Sequence, residues 1–251
     1  MHRTRATLIG VLVFLGFLHS HELSNGRHFH VELRTPPYCT VTGQKMNLPF
    51  TPAQFFAVFT SYNEAVWPMQ FILVLVAIAM VIAVLRFPER AGRIVSAGLA
   101  LLWCWLALGY HLAFFWAINP AAPLFAAISL VGAGAFLWLG LFKSSLRFQS
   151  GMDARKIAGL AVIIFALAAY PAIGVLLGYH YPATPSFGVP CPTTIFTFGI
   201  LLMAARPLPR MLLLTPMIWA IIGSSAAFSL GVTQDLSLVL MLGLGAYMLL
   251  P

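Results

Sequence analysis

The chain has 251 residues, of which 61% are hydrophobic and 8% charged, and its mean hydropathy is +0.92. Water-soluble domains carry about a quarter charged residues, so this composition excludes an ordinary soluble fold and leaves a membrane protein without room for a separate soluble domain. The net charge of +8 does not announce a nucleic-acid partner, because every basic residue after Lys45 falls in one of three short connections between apolar runs; that is the pattern of cytoplasmic loops under the positive-inside rule, with the lipid bilayer as the partner.

Residues 1–45 differ from the rest. Arg3 and Arg5 precede an apolar run over 6–18, which is the size of a signal-peptide core rather than a full span. Two His-x-His pairs follow, His19 with His21 and His28 with His30, a spacing at which imidazoles can bind metal. Arg27, Arg34 and Lys45 would burden an exported loop with positive charge. The preferred reading is therefore that 1–45 is a dispensable upstream extension and 46–251 is one transmembrane helical domain.

From there the pattern predicts an all-α, polytopic fold of about seven transmembrane helices. Thr51-Pro52 starts a short aromatic helix along the outer interface, since Pro is tolerated at the first helical position. Spans are expected at 65–85, 94–118, 121–142, 157–177, 192–206, 211–230 and 236–250, with Pro171 kinking the fourth. The basic connections at 86–93, 143–156 and 206–210 then share one side, which makes the C-terminus cytoplasmic.

Residues 178–199, GYHYPATPSFGVPCPTTIFTFG, break this regularity. They hold Pro182, Pro185, Pro190 and Pro192, and no Asp, Glu, Lys or Arg occurs between 157 and 205. Residues 192–205 make about 21 Å of helix against a hydrocarbon thickness of about 30 Å. The fifth helix is thus expected to start below the outer surface, with 181–190 descending to it as a re-entrant-like stretch buried by protein. Pro192 at the first helical position would put Cys191 at the N-cap.

Under this topology the unusual polar residues share the outer level. Tyr62, Asn63, Glu64 and Trp67 open the first span, and His111 and Trp116 lie near the outer end of the second. His180 and Cys191 lie in the proline-rich stretch, Ser224 and Ser225 in the sixth span, and Asp235 opens the seventh. Ionisable groups inside a membrane are costly, so such a cluster is a candidate site. The competing structural readings are carboxylates on helix dipoles for Glu64 and Asp235, interfacial anchors for Trp67, Trp116 and Tyr181, and close helix packing for the serines. His111 sits about 10 Å inside the end of its helix, with Cys104 about 10 Å deeper on the same face.

The segments FTPAQFFAVFTSYNEAVWPMQ, YHLAFFWAINPAA, GYHYPATPSFGVPCPTTIFTFGILL and WAIIGSSAAFSLGVTQDLSL together resemble a group of bacterial multi-pass membrane proteins that form a domain of unknown function. The resemblance runs from about Leu48 to the C-terminus, and PCPTTIFTFG is its most specific part. It implies an inner-membrane protein and brings no catalytic residues with it.

Three functions fit these residues. The first is binding or transport of a small ligand, a soft metal ion among the candidates, at an outer-half site built from Cys191, His180, His111 and Thr194, with Glu64 or Asp235 as counter-charge; thiolate and imidazole suit zinc or copper(I). A metal would be held by Cys191, His180 and His111. The second is an enzyme with Cys191 as nucleophile and His111 or His180 as base; no group to orient the base is identifiable, which argues against catalysis. The third is haem binding, with His111 and His180 as axial ligands.

Overall fold

The structure, a computed structural model, describes residues 49–230 and 232–250. The readings made for 1–45, including the His-x-His pairs, lie outside the described residues. All regular elements of the described chain are helical. In chain order they are α1 (Pro52–Ala65), α2 (Met69–Arg86), α3 (Pro88–Trp105), α4 (Ala122–Ala135), α5 (Ala154–Ile164), α6 (Pro190–Leu202), α7 (Met211–Leu230) and α8 (Ser237–Leu249). Three of them run on through π-helical turns: α3 through Leu106–Leu112, α4 through Phe136–Phe142, and α5 through Phe165–Ala169 followed by a further α-helical segment, Tyr170–Leu176.

Among the described residues, five helices are long and apolar enough to cross a membrane: Met69–Arg86, Pro88–Ala117, Ala122–Phe142, Ala154–Leu176 and Met211–Leu230. The two remaining apolar helices, Pro190–Leu202 and Thr233–Leu249, are shorter. The outer faces confirm a membrane protein. On α2, Leu73, Ala77, Met80 and Val84 follow a helical stripe into the core, while Phe71, Ile72, Leu75, Ile78 and Ile82 on the other faces are large, apolar and exposed. A helix apolar all round with one buried stripe is made to face lipid.

Several boundaries move. Residues 88–93 are not a loop, because α3 begins at Pro88 and only Phe87 separates it from α2. Pro at the first position and Glu89 in the first turn suit a helix start. The span expected from residue 65 starts at Met69 instead, so Glu64 lies in the last turn of α1 rather than at a helix N-terminus. α1 itself begins as expected: Thr51 caps it, its side chain accepting from the amide of Gln54 while the Gln54 side chain accepts from the amide of Thr51.

α6 is the axis of the bundle. Every residue in it except Cys191 is buried. Its 13 residues reach about 20 Å, and a helix this short persists because protein, not lipid, surrounds its ends. In a bilayer the drive to pack helices is van der Waals contact rather than hydrophobic transfer, so small residues that let backbones touch matter most. Gly159 of α5 and Gly199 of α6 meet this need: a β-carbon on Gly159 would stand 2.6 Å from the carbonyl oxygen of Gly199, and one on Gly199 would stand 3.0 Å from that of Gly159.

At one end of the bundle the basic connections come together. The Arg93 side chain donates to the Ser144 hydroxyl at 3.5 Å, the Ala205 amide to the Arg147 carbonyl at 2.8 Å, and Arg206 to the Leu250 carbonyl at 3.4 Å. Buried Lys156 caps the turn before α5 by donating to the carbonyls of Gln149 and Gly151. The candidate polar residues therefore lie toward the other end.

Candidate functional site

The proline-rich stretch after α5 is held by two neighbouring side chains of α1, Asn63 and Tyr62. Asn63, fully buried in α1, donates through Nδ2 to the carbonyls of Pro182 at 2.6 Å and Thr184 at 2.8 Å, and its Oδ1 accepts from the Ser186 hydroxyl at 2.6 Å. The Asn63 carbonyl accepts from Gln70 Nε2 at 2.8 Å and from the Tyr181 hydroxyl at 3.1 Å. One residue away, the Tyr62 hydroxyl accepts from Trp105 Nε1 at 2.8 Å and donates to the Gly188 carbonyl at 3.3 Å. Non-helical backbone in an apolar setting needs such partners, since each unpaired amide or carbonyl costs several kcal/mol there, on the order of a full hydrogen bond. Gly188 has φ +103 and a β-carbon on it would lie 2.5 Å from Leu73 Cδ1, so glycine alone fits this turn.

This clamp delivers the start of α6 to a cavity of about 190 Å³. α6 begins at Pro190 with Val189 as N-cap, two residues earlier than the Pro192 start expected from sequence; Cys191 is therefore inside the first turn and not the cap. Its thiol donates to Oδ2 of Asp235 at 3.2 Å, and the Tyr170 hydroxyl donates to Oδ1 of the same carboxylate. Asp235 is buried in the Thr233–Leu236 turn that leads into α8. Three separate elements thus converge on one carboxyl group.

The walls are aromatic. Phe55 and Phe59 of α1, Phe50 before it, Phe115 after α3, Phe125 of α4 and Trp219 of α7 line the cavity with Tyr110 and His111. Tyr110 and His111 are neighbours in sequence, yet both are buried and both line it. The π-helical turn Leu106–Leu112 carries them, and the wider turn shifts the register away from that of the α-helix before it. Cys104, expected on the same face as His111, lies before that turn and is not among the lining residues. A second π-helical turn, Phe165–Ala169, directly precedes Tyr170 and Pro171, so the proline expected to kink the helix stands just after a turn with wider backbone hydrogen bonding.

His111 stacks on Trp219, ring centroids 4.8 Å apart and planes 7° from parallel. Neither of its ring nitrogens has a hydrogen-bond partner among the described residues, although the side chain is fully buried. A buried imidazole normally satisfies both nitrogens. The side chain lines the cavity, beside Tyr110 and Trp219.

The remaining sequence candidates stand elsewhere. His180 is exposed in the loop and Glu64 is exposed at the end of α1, so neither joins the cavity. Thr194 is buried in α6 with its hydroxyl unpartnered, but it does not line the cavity either. Among the described residues no group of three or more His, Cys, Asp or Glu side chains comes close enough together to hold a metal ion. Cys191, His180 and His111 therefore do not form one ligand set: α6 delivers Cys191 to the cavity, whereas His180 remains on the loop surface. Among the described residues, His180 lies away from the cavity that His111 lines, and no hydrogen bond joins His111 to Cys191. Sequence reasoning missed Tyr170, Tyr110, Phe125 and Trp219. For Tyr170 the only signal was the adjacent Pro171, a point where the helix had to depart from regularity.

A family model matches residues 52–251, from the first residue of α1 onward. The chain belongs to a family of unknown function, DUF6064. The match covers the whole clamp and cavity except Phe50, and it leaves out the segment that sequence composition had already set apart. No curated protein and no solved structure matches the chain.

Proposed function

We propose that this membrane protein binds a small, largely apolar ligand in the cavity between α1, α3, α6 and α7. The observation that carries the reading is His111: a fully buried imidazole whose nitrogens have no partner among the described residues, on the wall of a cavity of about 190 Å³. A dry cavity of about 150 Å³ is enough for benzene. Ligand sites are typically apolar with a few convergent polar groups, which is the lining seen here. The commitment of the Cys191 thiol to Asp235 and the isolation of His111 favour binding over a Cys–His reaction.

We infer transport as the use of this binding. Short helices preceded by non-helical backbone are where transporters build their sites, and α6 with its clamped lead-in has that form. The clustering of basic connections supports an orientation in which they and the C-terminus are cytoplasmic; a bacterial inner membrane is the location we propose with it.

Toluene is a suitable probe for the cavity. It should raise the melting temperature of the purified protein and have no effect on Ala226→Phe, which fills the cavity from α7. No shift in the native protein, or an equal shift in both, would overturn the reading.

A further inference from the structure

We infer that the ligand is a small organic monocation, its charged group meeting Asp235 and its apolar body lying against the aromatic walls. This rests on the reading that the cavity is a ligand site.

Among the described residues that line the cavity, Asp235 is the sole charged one, and none is Lys or Arg. Its carboxyl group receives hydrogen bonds on both oxygens, from Tyr170 and Cys191, which is the acceptor-only pattern of a carboxylate. A carboxylate offers about four lone-pair sites, so two donors leave room for a third partner. A buried charge with no opposite charge nearby is expensive, and pairing it removes much of that cost. His111 does not supply the missing charge: its nitrogens bond to no described residue, Asp235 included, and its ring lies flat on Trp219.

The walls favour the same ligand. The faces of Trp, Tyr and Phe attract cations through their quadrupoles, most strongly where water is excluded. Trp219, Tyr110 and Phe59 line the cavity. His111, uncharged, has a nitrogen lone pair able to accept from an ammonium N–H. An anion would meet the Asp235 carboxylate with no basic group to offset it. A primary amine on a ring of benzene size matches both the volume and the lining.

The test compares benzylamine, benzyl alcohol and benzoate by calorimetric titration of the purified full chain in detergent. Benzylamine should bind about tenfold or more tightly than benzyl alcohol, and benzoate should not bind. Asp235→Asn should bring the two neutral-bodied ligands to parity, and Ala226→Phe should abolish both. If benzyl alcohol binds the native protein as tightly as benzylamine, the charge inference fails while the ligand cavity stands. If none of the three binds, the cavity reading itself fails and takes this inference with it. Benzylamine binding that survives in Ala226→Phe lies outside the cavity and also overturns the proposal. Should Asp235→Asn not fold, the comparison of the three ligands on the native protein decides the matter alone.

Discussion

The thiol of Cys191 donates to the carboxylate of Asp235 at 3.2 Å, tying the first turn of α6 to the turn that begins α8. The Tyr170 hydroxyl shares the acceptor, so α5 joins the same point. Hydrogen bonds to a charged group contribute about 1.5–3 kcal/mol each, and a buried donor stripped of its acceptor costs about 1–3 kcal/mol.

Graded losses should follow from removing these groups. Asp235→Ala strands the Tyr170 hydroxyl and should destabilise by about 2–4 kcal/mol, Tyr170→Phe by about 1.5–3 kcal/mol, and Cys191→Ser by less than about 1 kcal/mol because a hydroxyl still donates. Unfolding in mixed micelles measures the order. If Cys191→Ser proves the most damaging, the carboxylate is not the centre of the cluster.

Asn63→Leu should release the proline-rich stretch. It removes two donors from the Pro182 and Thr184 carbonyls and the acceptor for Ser186. Hydrogen exchange over 181–189 should accelerate, with a stability loss of about 1–3 kcal/mol. Unchanged exchange there would show that the segment holds itself.

The α5–α6 contact predicts a sharp contrast between glycines. Gly199→Val meets Ile163 and the Gly159 carbonyl and should cost about 1–3 kcal/mol or more. Gly243→Ala on α8 has nothing within 4 Å and should be neutral or stabilising by up to about 1 kcal/mol. Thermal melts of the two variants check both signs.

Orientation is tested by single-cysteine labelling in a background without Cys39, Cys104 and Cys191. An impermeant reagent applied from outside should label His180→Cys and miss Ser145→Cys. Reversal of the two results would invert the topology.

A chain starting at Met46 should insert and melt within a few degrees of the full length, because the clamp, the bundle and the family match all lie after that residue. A much lower melting temperature would show that 1–45 supports the fold.

Much of this architecture is legible in composition and local pattern. A bilayer demands apolar runs of about 20 residues, so the spans at α4, α5 and α7 could be read within a few residues. The short, proline-bounded α6 betrayed its burial for the same reason: a helix that cannot cross lipid must be wrapped in protein. What the sequence could not decide is which polar residues meet. Glu64 and Asp235 look alike as lone carboxylates near span ends, yet the break at residues 66–68 leaves Glu64 outside while the turn before α8 carries Asp235 to the cavity. His111 and His180 look alike as outer histidines, but the π-helical turn takes one to the cavity and the loop exposes the other. Tyr170, Cys191 and Asp235 are separated by 21 and 44 residues; only the packing of α5, α6 and the last turn brings the first two side chains to the carboxylate of the third.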